Sequence, residues 1–356
     1  MTRTTDMVSL YIHIPFCKRK CFYCSFYSIT DDYREQYIDA IIRCVKFHGG
    51  KKIKTLYIGG GTPSILGDRL IPVIESVYKY FDVQKDAEIT VEINPESCDR
   101  QLLQALKSVG VNRLSIGVQS LCDSELKLIG RLHDSKRALD TILLARECGF
   151  DNISCDLIFG LPSQSAQSFK KNIETLKALD IPHISCYNLQ IEKGTPIYNT
   201  AKPNEALEAQ MYEILCESLK DYRHYEISNF CKRGFESRHN SAYWTGDDYL
   251  GLGPAAHSKI GSNRYCFKSD INTFINKDNF DFDECERITD PLFEKIMLGL
   301  RTDLGVDLKY LQNSEKFILQ LEAGGFATRK DGRLILTDKG FYLSNTIISS
   351  ITAKEC

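Results

Sequence analysis

The stretch Val8-Ser-Leu-Tyr-Ile-His-Ile-Pro-Phe-Cys17-Lys-Arg-Lys-Cys21-Phe-Tyr-Cys24 decides how the chain is read. Its first half, Val8–Ile14, alternates in character and is expected to form a first strand. Its second half carries three cysteines at C-x3-C-x2-C spacing directly after that strand. Three such thiolates converge only if the loop wraps a compact object, and thiolate ligands select soft centres, chiefly zinc or iron–sulfur. Structural zinc wants four closed ligands, usually as two separated pairs. A lone triplet leaves one corner open, which suits a reactive [4Fe–4S] cluster on Cys17, Cys21 and Cys24. Three unrelated buried cysteines fit poorly with a triplet flanked by Phe16, Phe22, Tyr23 and Phe26.

Working outward, a β-rich run followed by a helix-period segment recurs. The strands are expected at Val8–Ile14, Thr55–Ile58, Glu88–Ile93, Arg113–Val118, Ile153–Phe159 and His183–Gln190. The helices are expected at Asp32–Phe47, Asp68–Tyr80, Asp99–Ser108, Ser135–Cys148, Ser165–Leu179 and Asn204–Tyr222. Asp32, Asp99 and Ser135 can serve as N-caps, and Gly110 and Gly149 stand where a left-handed helix end is wanted. Such βα repetition implies a parallel sheet with helices outside. A Rossmann G-x-G-x-x-G does not follow the first strand; the cysteine triplet stands there instead. The expected fold is α/β, a partial (β/α)6 barrel over residues 1–224.

Residues 225–289 are aromatic and Gly-rich, with loop character, and read as a connecting region. Residues 290–356 suggest a winged-helix-like α+β cap: helices Leu292–Arg301 and Leu308–Ala323, then a hairpin turning at Asp331-Gly332. Residues 290–340 carry eight acidic and eight basic side chains. That balance favours a structural cap over DNA binding.

The whole chain of 356 residues is 43% apolar and 26% charged, with a formal net charge of −2. Nothing in that balance recruits nucleic acid or an anionic membrane. The fourteen cysteines come without the short, loop-rich chain and leader of a disulfide framework, which points to free thiols in a reducing cytoplasm. Cys155 and Cys186, inside strands, are read as small core residues, and Cys44, Cys148 and Cys216 fall on helices.

The C-x3-C-x2-C loop after the first barrel strand resembles the signature of the radical S-adenosylmethionine (SAM) superfamily. That resemblance implies that the open iron binds the amino and carboxylate groups of SAM, whose cleavage yields a 5′-deoxyadenosyl radical. More narrowly, Tyr11-Ile-His-Ile-Pro-Phe-Cys17, Gly59-Gly-Gly-Thr-Pro63, Gly117-Val-Gln119 and Asp156-Leu-Ile-Phe-Gly-Leu-Pro162 resemble the oxygen-independent coproporphyrinogen III oxidase group. That group includes an oxidase and a heme-chaperone branch. It implies SAM contacts at Tyr11, Gly60, Gly61, Thr62, Glu92, Gln119, Arg131 and Asp156, with Tyr23 a further one in the oxidase pattern. Arg131 can pair with a carboxylate of SAM or be an exposed helix-end arginine.

Three features favour the chaperone branch. Phe26 stands where the oxidase pattern has a further cysteine, only ten residues precede Tyr11, and His239-Asn-Ser-Ala-Tyr243-Trp244 matches an H-N-x-x-Y-W motif. His239 is then expected to ligate heme iron, with Tyr243 and Trp244 shaping the face of the site. His257 is the rival ligand, with a structural role expected for it. The implied cofactors are the cluster, SAM and heme. The implied partners are acceptor apoproteins such as respiratory enzymes and an electron donor, with a homodimer admitted and no nucleic acid. The alternative is the oxidase itself, which decarboxylates two propionates of coproporphyrinogen III to vinyls.

Overall fold

The computed structural model describes residues 7–356, and the first six residues of the N-terminal reading lie outside it. Six strands, β1 (Met7–Ile14), β2 (Lys52–Gly60), β3 (Asp82–Ile93), β4 (Arg113–Gln119), β5 (Asn152–Phe159) and β6 (His183–Asn188), lie side by side in chain order. All five pairings between them are parallel. Between and after them come α1 (Arg34–His48), α2 (Leu70–Tyr80), α3 (Arg100–Ser108), α4 (Asp123–Leu128), α5 (Ser135–Glu147), α6 (Ala166–Ala178) and α7 (Glu205–Ser218). The expected βα series is therefore present, with α4 as a short addition.

The sheet has two faces because strand side chains alternate. Leu10, Ile12, Leu56, Ile58, Val91, Leu114, Ile116, Cys155 and Ile184 are buried against the helices. The opposite parity, Tyr11, Tyr57, Glu92, Ser115, Asp156 and Ser185, lines a single cavity, so the strands wrap around a polar lumen. Local capping differs from the expectation in two places. Asp134, not Ser135, accepts from Arg137 N to cap α5, and α1 begins after Tyr33 without a side-chain cap from Asp32. Asp99 caps α3 as expected, and Gly110 and Gly149 take φ of +88° and +84° past their helices.

Residues 225–289 are not a loop. They supply β8 (Asn229–Cys231), α8 (Arg238–Trp244), β9 (Tyr249–Leu252), β10 (His257–Ile260), β11 (Asn263–Cys266), α9 (Ile271–Ile275) and β12 (Glu284–Arg287), after β7 (Arg223–Glu226). β9 pairs in parallel with the outer edge of β1, and β10 to β12 continue antiparallel from it; β8 and β7 extend the other edge beyond β6. Each of these strands is three or four residues long, too short for alternation to show in the sequence.

The last part holds α10 (Pro291–Gly299), β13 (Val306–Asp307), α11 (Glu315–Ala323), β14 (Ala327–Lys330), β15 (Arg333–Leu336), α12 (Asp338–Tyr342) and α13 (Ser344–Glu355). The hairpin turns at Asp331 and Gly332 with φ of 50° and 74°, as the Asp-Gly pair implies. The expected helix Leu308–Ala323 is split. A single 3-10 turn, Leu308–Tyr310, is capped by Asp307, and α11 starts only after Ser314. No helix among the described residues is long and apolar enough to cross a membrane.

Candidate SAM and cluster site

The lumen opens at the C-terminal ends of β1–β6 as a cavity of ≈ 490 Å³, a size suited to a small organic cofactor. Cys17, Cys21 and Cys24 line it together with Tyr11, Tyr23, Gly60, Gly61, Thr62, Glu92, Gln119, Arg131 and Asp156. The structure thus gathers every cysteine of the triplet and every residue expected to touch SAM.

The cysteine loop is pinned by its backbone. Cys17 N donates to Ile29 O at 2.9 Å, Phe22 N to Ile129 O at 3.0 Å, and Ile197 N to Phe22 O at 3.0 Å. Thr62 Oγ1 and Arg131 Nη1 each approach a cluster-loop sulfur, Cys17 and Cys21 respectively, at 3.5 Å. Burial raises the Cys17 and Cys24 thiols above the ordinary value. A soft metal centre must displace those protons, and the donors from Thr62 and Arg131 stabilise the sulfur charge that results. Three convergent thiols with Phe26, 69% exposed, at the same wall fit a cluster with one free corner.

Ionisable side chains line the lumen beneath. Glu92 accepts from Tyr57 OH at 2.9 Å and from Gly60 N at 3.0 Å, yet burial, reinforced by the Asp156 charge, pushes its carboxyl up to about 7. Asp156, held by Ser115 Oγ at 3.3 Å, is also raised by burial. Gly60 has φ of +116°, and a Cβ there would lie 2.6 Å from the His13 ring, so only glycine brings this backbone N–H to the carboxylate. Gln119 takes φ of +66°, a cost that non-glycine residues bear mostly at functional positions.

Arg131 is 8% exposed, so it is not a solvated helix-end arginine. Its Nη2 donates to Asn94 Oδ1 at 2.8 Å and Gly117 O at 2.9 Å, and its Nε is buried without a partner. That orphaned donor is the kind a carboxylate ligand satisfies. Burial lowers its pKa, but the charges of Tyr23, Cys21 and Glu96 outweigh that and raise it overall. Arg113, absent from the expected set, also lines the cavity; it is 1% exposed and leaves Nε and Nη1 unpartnered. It stands two and six residues before Ser115 and Gln119 on one strand face, so the period of two would have found it.

The H-N-x-x-Y-W motif is placed differently from its expectation. It lies in α8, not in an open loop, and His239 is 1% exposed. His239 Nδ1 is 2.8 Å from Thr55 Oγ1, and Nε2 is 2.9 Å from Tyr243 OH. Burial, with the Arg113 and Lys54 charges, lowers its pKa to about 3, so it is a neutral ring with both nitrogens engaged. Glu88 seats the helix by accepting from Arg238 N at 2.9 Å and His239 N at 3.0 Å. The Trp244 indole bonds Glu226, whose carboxyl burial pushes up to about 8. Of this motif, Asn240 alone lines the cavity. His257, the rival ligand, is exposed at the start of β10.

Residues 11–176 match the radical SAM superfamily. The heme chaperone HemW of Bacillus subtilis is 35% identical, over 97% of this chain and 99% of its own. The heme chaperone HemW of Lactococcus lactis is 32% identical, over 95% and 96%. The mitochondrial radical S-adenosyl methionine domain-containing protein 1 of Bos taurus is 32% identical, over 96% of this chain and 84% of its own. Among solved structures, coproporphyrinogen III oxidase HemN of Escherichia coli superposes with a TM-score of 0.84 at 22% identity, covering 97% of this chain and 89% of that one. That last likeness concerns the fold.

Proposed function

The chain belongs to the HemW family of radical SAM proteins, and from that premise we propose that it is a heme chaperone. It binds heme and delivers it to acceptor hemoproteins, on a scaffold that carries a [4Fe–4S] cluster and SAM. The observation that carries this reading is full-length similarity to heme chaperones, the C-terminal part included.

Cys17, Cys21 and Cys24 are the residues proposed to hold the cluster. Bound there, the cluster supplies one-electron chemistry and an open iron for SAM. The chain's own part is to orient and enclose. Arg131 offers its unpaired Nε to a carboxylate, Glu92 and Asp156 offer acceptors, and Tyr11 and Tyr23 wall the lumen against water. Tyr11 is itself held, its hydroxyl 2.9 Å from His13 Nδ1, while His13 Nε2 reaches Tyr27 O at 2.9 Å.

For heme, His239 remains the proposed iron ligand, with Tyr243 and Trp244 shaping the face of the site, and the geometry sets a condition. His239 has a nitrogen to give only after α8 withdraws it from Thr55 and Tyr243. An electron donor for the cluster belongs to the same reading, as do acceptors of the respiratory kind and pairing of two copies. The cytoplasm is supported by fourteen free cysteines among the described residues.

The test is transfer. Anaerobically reconstituted protein loaded with heme should convert an apo-hemoprotein to its holo form, and should yield no vinyl product from coproporphyrinogen III with SAM and reductant. Robust vinyl formation without heme transfer would replace the chaperone by the oxidase.

A further inference from the structure

Arg113 lines the lumen and is 1% exposed, and its Nε and Nη1 have no hydrogen-bond partner among the described residues. A guanidinium stays charged when buried, and a buried charge is tolerated only where something compensates it.

Strand register says what does. Glu92 on β3 stands opposite Ser115 on β4, and Ser115 Oγ lies 3.3 Å from both oxygens of Asp156 on β5. Arg113 precedes Ser115 by two residues on the same lumen face, one step beneath the serine that lies between the two carboxylates. Glu92 accepts from Tyr57 OH and Gly60 N, and Asp156 from Ser115 and Ser185. Arg113 is not among these donors. It therefore gives both carboxylates an opposite charge without using up their capacity to accept from a ligand.

Its other neighbours do not compete for that charge. Toward the floor it faces His183 and His239, both neutral. His183 Nδ1 is 2.7 Å from Ser154 Oγ and Nε2 is 2.8 Å from Tyr225 OH. Burial, then the Arg113 charge, holds that ring well below the usual imidazole value. Around Glu92, the phenols of Tyr11, Tyr57, Tyr187 and Tyr243 are all pushed up by burial, so none is charged near neutrality; the same holds for Tyr23 beside Asp156. The Asp156 charge raises the Glu92 carboxyl and the Arg113 charge lowers it; on Asp156 the opposing cations are Arg113 and then Arg131.

We propose that Arg113 is a positioning residue for SAM, one whose guanidinium holds Glu92 and Asp156 as ionised acceptors for the cationic ligand while bonding neither. The proposal rests on the assignment of this lumen to SAM. A protonated Glu92 would offer the sulfonium no charge and would itself seek an acceptor, so a neutral residue at position 113 weakens SAM binding through the carboxylates rather than by any contact of its own.

The test is the pH profile of SAM binding to anaerobically reconstituted protein. Loss of a nearby opposite charge raises a carboxyl by about one unit or more. Arg113→Met should therefore bind SAM about fivefold more weakly than wild type near pH 7, and the deficit should close as the pH rises by about two units. The amino group of SAM titrates alike in every variant, so the difference between proteins is what counts. Arg113→Lys restores the charge and should recover most of the affinity. Arg113→Gln is a second neutral variant, for use where Met packs poorly. Unfolding of the SAM-free protein gives an independent readout. Stability falls with rising pH up to the folded-state value of Glu92, about 7 in wild type, and in the neutral variants the end of that fall should move up by about one unit. A deficit constant across pH, an unmoved unfolding window, or a Lys variant as weak as the neutral ones would each overturn the proposal and leave Arg113 a packing residue. Wild type that binds no SAM at any pH would overturn the SAM assignment itself, a failure told apart from the others by an unfolding window that still moves.

Discussion

The Tyr57 ring stacks on the His239 imidazole, with centroids 5.0 Å apart and planes 29° from parallel. The same Tyr57 donates its hydroxyl to Glu92 at 2.9 Å. One side chain thus touches both the motif assigned to heme and the lumen assigned to SAM.

Tyr57→Phe keeps the stack and removes the hydroxyl, leaving Glu92 with Gly60 N as its remaining donor. A buried hydrogen bond to a carboxylate contributes about 1.5–3 kcal/mol, so SAM should bind roughly tenfold more weakly. Equilibrium SAM titration of the reconstituted variant reads this directly. Affinity equal to wild type would separate Tyr57 from the SAM site.

Changing Cys17, Cys21 and Cys24 together to Ala should abolish the broad visible absorption of reconstituted protein and its iron and sulfide load. Cys285→Ser, on an exposed edge strand, should leave both intact. A normal iron and sulfide load in the triple variant would refute the ligand assignment.

Glu92 gives a pH signature. Its folded-state value of about 7 lies above the ordinary 4.5, so between these the folded protein holds more protons than the unfolded chain. Stability of the SAM-free protein should fall as pH rises through that window and level off above it. Glu92→Gln should flatten this profile and be more stable than wild type at high pH, by about 3 kcal/mol. It should also bind SAM more weakly. Unfolding curves measured across the window, with and without SAM, check both signs.

His239→Ala leaves Thr55 Oγ1 and Tyr243 OH without their shared partner in a buried site, which should cost about 2–4 kcal/mol of stability. A loss of heme binding in that variant alone would be ambiguous. His239→Gln retains hydrogen-bonding groups and should fold, keep its cluster absorption, and still show weaker heme binding with a shifted Soret band. His257→Ala, on an exposed strand end, should bind heme as wild type does. Loss confined to His257→Ala would move the ligand to β10.

The βα series was legible because its strands are long apolar runs between capped helices, and the cysteine triplet because its spacing has few competing explanations. The lumen residues were legible as polar exceptions in apolar strands: Glu92 and Gln119 at strand ends and Asp156 within β5 all line the cavity. Arg113 is easily passed over, because a charge at the first position of a strand looks like a solvated end, although its parity with Ser115 and Gln119 marks the lumen face. The burial of His239 was hidden for another reason. It depends on Glu88 and Thr55 meeting the motif across more than 150 residues of chain, and local composition carries no trace of such packing. Short strands such as Tyr249–Leu252 and Glu284–Arg287 escape any period-based reading.

The parallel pairing of Ser9–Ile12 with Tyr249–Leu252 has a consequence for biogenesis. During synthesis the first strand emerges early, yet its outer neighbour is made some 240 residues later. Until then one flank of β1 keeps unpaired amides and carbonyls beside the three nascent cluster thiols, an invitation to pairing with another chain. Non-local closure of this kind also slows folding. A nascent chain arrested before Tyr249 would therefore be a species with a metal-hungry loop on an open sheet edge, one that needs shielding until translation is complete.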